Sequence, residues 1–268
     1  MEQPLTIPGA REMGAVNWLG VWTLFEKEVR RFLKVWTQTI LAPMATALVF
    51  LGVFAVAIGP TQPATGDLGF LTFMGPGLIM MTMVQNAFAN TSSSLMIAKI
   101  QGNIVDILMP PLKPGELLAG LVGGGLVRSL TVGLLLSLIM LPISHFHVHD
   151  LGYLVLHAFG AGVILSLVGL LTAIVAEKFD HLAAITNFVV TPAALLSGTF
   201  YSIERLPEWL QLVCQLNPIF YLMDGFRYGL TGHADGYLWV GIIVVLGLAA
   251  VLWLAAHWML RTGYKLKP

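Results

Sequence analysis

Charge and cysteine are what this 268-residue sequence has least of. It carries 14 Lys or Arg and 14 Asp or Glu, a charged share of 10% against 57% hydrophobic residues. Soluble domains devote about a quarter of their residues to charge, and so few charges cannot cover a globular surface of this size. Disorder requires the opposite composition. A net charge of zero with no basic block lacks the footprint of a nucleic-acid binder. The class that remains, supported by a mean hydropathy of +0.82, is an all-α polytopic membrane protein, with room for about six spans at roughly 20 apolar residues each.

The other absences narrow the chemistry. The single Cys214 excludes an intramolecular disulfide framework and a Cys-rich metal site, leaving a buried thiol or a cross-subunit bridge. Met1 to Gly14 lacks the basic, apolar and small-residue regions of a cleavable signal, so the first span is expected to do the targeting. There is no G-x-x-x-x-G-K-[ST], not even a Gly-Lys pair, and no H-E-x-x-H. Without a P-loop the chain cannot cradle ATP in that way, so energy must come from an ion gradient or a partner protein.

What is present reads as one transmembrane domain over 1–268. Asn17 to Trp36 predicts an amphipathic helix, with Trp18, Trp22, Phe25, Val29, Phe32 and Trp36 on one stripe and Lys27, Arg30, Arg31 and Lys34 on another. Such a helix can lie in the membrane interface, its cations towards anionic lipid, or pack on a partner. Spans are expected near 39–58, 70–98, 117–143, 151–176, 182–196 and 237–260, the first ending at Gly59-Pro60 before a polar loop, Thr61 to Asp67. With the N-terminus inside, Arg11, Lys27, Arg30, Arg31, Lys34, Lys99, Lys113, Lys178, Arg261, Lys265 and Lys267 fall on the inner side, against Arg205 and Arg227 outside. The positive-inside rule then places both termini in the cytoplasm.

Three segments carry candidate chemistry. Arg128 is the one cation in a span, a costly placement that should face protein or water; antiparallel packing would put Asn86 and Asn90 at its depth, as a structural cluster or as the lining of a path. No span interior shows the Asp or Glu expected of an ion-coupled carrier. The inner loop holds Ile104, Val105, Asp106, Ile107 and Leu108 before Pro110-Pro111, either a short amphipathic helix suited to a partner's groove or a plain connection. On the outer side, 197–236 is too interrupted to span and too apolar for a solvated loop, and predicts a broken re-entrant hairpin. One short helix would follow Pro207 with an apolar face of Leu206, Leu210, Val213 and Cys214; a second, 220–230, would set Asp224 and Arg227 at pairing distance. Two weaker features are His145, His147 and His149 in one loop, and Gly120-x-x-x-Gly124, which suits close packing within the subunit or across a dimer.

The run Leu196-Ser197-Gly198-Thr199-Phe200, then Leu206-Pro207-x-Trp209-Leu210-Gln211, Asn217-Pro218 and Asp224-x-x-Arg227, resembles the signature of type-2 ABC exporter permeases. Across essentially the whole chain, the order of basic amphipathic helix, six spans, inner loop and outer hairpin is similar too. The resemblance implies a bacterial inner-membrane subunit that binds no cofactor and performs no catalysis. It would work as a homodimer or pseudo-dimer beside two ATP-binding subunits that hold ATP and Mg. It also implies docking of the ATPase on 104–108, Pro110, Pro111 and the N-terminal helix with Arg30 and Arg31, with a minor contact at Glu177 to Asp180. Phe200, Tyr201, Pro207, Trp209, Asn217, Pro218, Asp224 and Arg227 would belong to an outer gate. Two rivals are an ion-coupled secondary transporter and an intramembrane serine protease using Ser197 and His257, which the expected topology places on opposite sides of the bilayer.

Overall fold

The structure is a computed structural model that describes residues 14–57 and 68–265. Arg11, Lys267, the segment ahead of Gly14 and the Gly59-Pro60 and Thr61 to Asp67 features lie outside the described residues. Ten helices are found among the described residues: α1 Trp18–Lys34, α2 Thr37–Ala57, α3 Phe70–Ile100, α4 Ile104–Leu108, α5 Pro114–Ser144, α6 Leu151–Val175, α7 Phe179–Leu196, α8 Glu208–Leu216, α9 Pro218–Thr231 and α10 Leu238–Thr262. Five of them, α2, α5, α6, α7 and α10, are long and apolar enough to cross a membrane. The 31-residue α3 is longer than most of these, but its C-terminal half carries Gln85, Asn86, Asn90, Thr91 and Ser92 to Ser94. It can be this polar because it is the central helix, enclosed by α5, α6, α9 and α2. Peripheral α10 is apolar on all sides and little buried, the pattern suited to an apolar surrounding.

Two helices hold irregular turns that prolines explain, at the start of α2 and in the middle of α7. In α2 and α7, π-helical turns bond the Ala42 amide to the Thr37 carbonyl and the Thr191 amide to the Thr186 carbonyl. Pro43 and Pro192 follow immediately, and the wider turn accommodates the ring and missing N–H that would break an ordinary α-turn. At the C-terminal end of α6, the Lys99 ammonium donates to the Ala173, Ile174 and Ala176 carbonyls at 2.7–3.1 Å. A cation there satisfies the last orphan carbonyls and the negative end of the helix dipole.

The amphipathic α1 is packed, not loose. Leu24, Glu28 and Phe32 form its buried face against α5. The expected aromatic stripe divides: Phe32 is buried, while Trp18, Trp22 and Trp36 stay exposed at the rim. Gly120 and Gly124 make this contact possible, since a Cβ at Gly124 would stand 2.3 Å from the Glu28 Cβ and one at Gly120 2.8 Å from Leu24. The Gly120-x-x-x-Gly124 pair thus serves packing within the subunit. The start of α1 is bolted down as well. Glu116 accepts from the Asn17 and Lys113 amides at 3.0 and 2.8 Å, and Asn17 caps α1 by accepting from the Gly20 amide.

Candidate functional site

Three polar features interrupt the apolar bundle. The first joins α1, α3 and α5. Arg128 is 9% exposed and donates through Nε and Nη2 to the Asn86 Oδ1 at 3.1 and 2.8 Å, the contact its depth predicts. Asn90 is a correction: its Oδ1 and carbonyl accept from the Arg31 guanidinium at 3.1 and 2.7 Å, not from Arg128. Arg31 also donates to Glu28 and to the Ser93 hydroxyl, and Ser94 donates to Glu28 at 2.6 Å. Glu28 is fully buried, a placement the sequence hides because its partners on α3 lie more than 60 positions away. Arg31 therefore turns into the bundle, while Arg30 points outwards and pairs with Glu26. Glu28, Arg31, Asn90, Ser93 and Ser94 form one network that ties α1 to α3, while the separate Arg128–Asn86 pair ties α5 to α3.

The second feature is α4. Ile104 and Ile107, expected to enter a partner's groove, instead face the chain's own core beside Leu95 and Leu118, each 5% exposed. The outward side consists of Val105, Asp106, Leu108 and Met109, with Met109 77% exposed, followed by Pro110 and Pro111. The Asn17 amide nitrogen Nδ2 donates to the Pro111 carbonyl at 3.4 Å, so this knob adjoins the first turn of α1. Arg30 and Arg31 stand thirteen and fourteen residues further along, about 20 Å at 1.5 Å per residue.

The third feature is the hairpin of α8 and α9. Helices α8 and α9 take the expected places, separated by Asn217-Pro218. Asn217 caps α9 by accepting from the Ile219 amide and donates to the Ala193 carbonyl and the Ser197 hydroxyl. Of the apolar face expected on α8 only Cys214 is fully buried; Val213 is exposed with Trp209, Leu212 and Leu216. Phe200 packs on Phe54 and Phe50 of α2, with centroids 5.0 and 6.2 Å apart, and the neighbouring Tyr201 is half-buried. Pro207 and Pro218 sit exposed at the two helix starts.

Asp224 and Arg227 do not pair with each other as their spacing suggests. Asp224 accepts from the Asp235 and Gly236 amides at 2.7 and 3.0 Å. Arg227, fully buried, donates to the Gly198 carbonyl, lies 3.8 Å above the Phe73 ring and faces Asp235 at 3.9 Å. Asp235 is the residue that sequence reasoning missed. Its carboxylate accepts from Ser202, the Ile203 amide and His233 at 2.8, 3.1 and 2.9 Å. Burial alone would raise its pKa, but these bonds and Arg227 outweigh that and hold it below the usual range. The same bond raises the His233 pKa in spite of partial burial. Burial raises the Asp224 pKa against its two amide bonds. The cluster fastens the hairpin, the α9–α10 connection and the start of α3 to one another.

The serine protease rival fails on geometry. Ser197 lies at the C-terminal end of α7, bonded to Ala193 and Asn217, whereas His257 lies beside Gly115 at the start of α5.

Residues 20–231 of this framework match the ABC-2 type transporter family. The inner membrane transport permease YadH of Escherichia coli (strain K12) is 37% identical over 240 residues, covering 90% of this chain and 92% of the relative. The chain belongs to the ABC-2 type transporter family. Two more distant relatives are the nodulation protein J of Neorhizobium galegae, 20% identical over 82% of this chain and 83% of the relative, and that of Rhizobium leguminosarum bv. viciae, 20% identical over 87% and 90%. ABC-2 permeases pair with ATP-binding subunits, and the ATPase chemistry belongs to those separate chains. The matched span of the permease runs from α1 to the end of α9, so it takes in the buried network, α4 and the outer hairpin.

Proposed function

We propose that two copies of this permease form a translocation path for an exporter in a bacterial inner membrane, driven by two ATP-binding subunits docked on the cytoplasmic side. The observation that carries the coupling is α4, a short helix on the loop between α3 and α5 whose Val105, Asp106, Leu108 and Met109 point outwards while Ile104 and Ile107 anchor it. A knob anchored from within and exposed without is what a partner's groove can push on. Pro110 and Pro111 end it, and the adjoining start of α1 continues the docking surface. On this reading α3 is the sixth span, both termini are cytoplasmic, and the hairpin at 197–236 re-enters from outside as a gate.

Support for a path between copies comes from α2 and α7. Both are little buried, with Val49, Val53, Val56, Phe188 and Val189 exposed, and both touch α3. The residues that α3 leaves partly open, Met81, Gln85, Ala89, Ser93 and Ile97, recur every fourth position on one face. Asn86, Asn90 and Arg128 sit immediately behind it as the supports of the path. The test is purification from native membranes with crosslinking. An ATP-binding protein should accompany the permease, and Val53→Cys should crosslink to a second copy, Cys214 being buried and silent. A lone, uncrosslinked permease would refute the reading.

A further inference from the structure

A cleft of about 720 Å³ opens between α1, the start of α2 and the inner end of α3. Lys27, Arg30 and Lys34 recur along α1 at three- and four-residue steps and line one side, with Arg31 behind them. Lys27 and Lys34 make no hydrogen bond or ion pair among the described residues, while Arg30 is held by Glu26 and Arg31 by Glu28. Four cations against two carboxylates leave the cleft with two net positive charges. Its other side is apolar: Val35 and Ile97 line it and are 45% and 37% exposed. Trp22 and Trp36, exposed on the same helix and beside its end, suit headgroup depth in a bilayer.

A cationic rim over an apolar floor at that depth matches a molecule with an anionic head and a hydrocarbon tail, the complement that charge and shape both ask for. The cleft also leads somewhere. Ile97 belongs to the half-open face of α3, and Arg31 reaches from the cleft to the Ser93 hydroxyl one turn further along that face. We infer that this cleft is a binding site for a phosphate-headed anionic amphiphile of the inner leaflet, placed to deliver it to the inner end of the path. The inference rests on the cytoplasmic placement of α1 in the proposed function, and it gives Arg30 and Arg31 a task distinct from ATPase docking.

The test titrates a fluorescent-tailed phosphatidylglycerol, and the matching phosphatidylcholine, onto the purified permease–ATPase complex in neutral detergent. Phosphatidylglycerol should bind saturably and at least about tenfold more tightly, since each surface cation contributes about 1 kcal/mol towards an anionic headgroup. Lys27→Gln with Lys34→Gln should lose that advantage, Lys27→Arg with Lys34→Arg should keep it, and Arg261→Glu, exposed in the last turn of α10, should leave it unchanged. Glycerol phosphate without a tail should fail to displace the lipid. Equal binding of the two lipids, an equal loss with Arg261→Glu, or displacement by glycerol phosphate would overturn the inference. So would a Gln pair that keeps the lipid but releases the ATPase, because the cleft would then be a protein dock. If no ATPase co-purifies, the proposed function fails while the titration still reads the permease alone.

Discussion

Replacing Glu28 by alanine is the sharpest perturbation of the buried network. The change removes the acceptor for Ser94 at 2.6 Å and for two Arg31 nitrogens at 3.1 and 3.2 Å. Breaking a fully buried ion pair costs about 3–5 kcal/mol. Here Arg31 is 28% exposed and keeps its bonds to Asn90 and Ser93, so a cost of about 2–3 kcal/mol is expected once that exposure is discounted. At roughly 2–4 °C per kcal/mol for a chain of this order of length, the midpoint of thermal unfolding in detergent should fall by about 5–10 °C. Glu28→Gln keeps the volume and one acceptor oxygen and should lose about half as much. Gly124→Ala should act in the same direction with every charge in place, because its Cβ meets the root of the Glu28 side chain at 2.3 Å and α1 must move away. An unchanged midpoint for Glu28→Ala, or a Glu28→Gln as damaging as Glu28→Ala, would refute this account of how α1 is held.

Three further outcomes follow from the other clusters. The raised His233 pKa means its protonated form is favoured on folding: that stability is full below the ordinary imidazole value of 6.5 and is lost as pH rises through the higher folded value. Unfolding midpoints compared at pH 5.5 and 8.5 should therefore drop with pH, and His233→Asn should flatten the drop; the Asp235 contribution has the opposite sense, present above 3.8 and lost as pH falls through its lower folded value. Gly77→Ala should loosen the outer hairpin from α3, since its Cβ would stand 2.4 Å from the Thr199 carbonyl oxygen, and limited proteolysis between 199 and 207 should report it. Arg128→Leu should leave the permease folded, because Asn86 still bonds the Thr82 carbonyl, yet change substrate stimulation of the ATPase; unchanged stimulation would mark Arg128 as structural.

Much of this was legible from residue order, for reasons that are local. Lengths of apolar sequence between polar breaks located the long helices to within a few residues, and Pro207, Asn217 and Pro218 announced the two hairpin helices because caps and helix starts act over three or four positions. Depth offered Asn86 and Asn90 alike to Arg128, and only Asn86 bonds it, since Asn90 is taken by Arg31. What stayed hidden depends on contacts between distant segments. Spacing suggested that Asp224 would pair with Arg227, but each found a better partner in the 235–236 turn. Nothing local marked Glu28 as buried, because Gly124 on α5 and Ser94 on α3, which make it a core residue, are distant in sequence. The α4 stripe was visible, but not that its isoleucines face inwards, because a five-residue helix has no periodicity long enough to tell its two sides apart.

ATP hydrolysis by the co-purified complex in proteoliposomes, with Asp106→Arg in α4, tests the central claim most directly. Asp106 is exposed and among the described residues bonds only through its backbone, so the reversal should leave the permease folded. If α4 transmits the ATPase stroke, stimulation of hydrolysis by the permease should fall severalfold while the ATPase alone keeps its basal rate. Stimulation equal to that of the unmodified complex would contradict the claim.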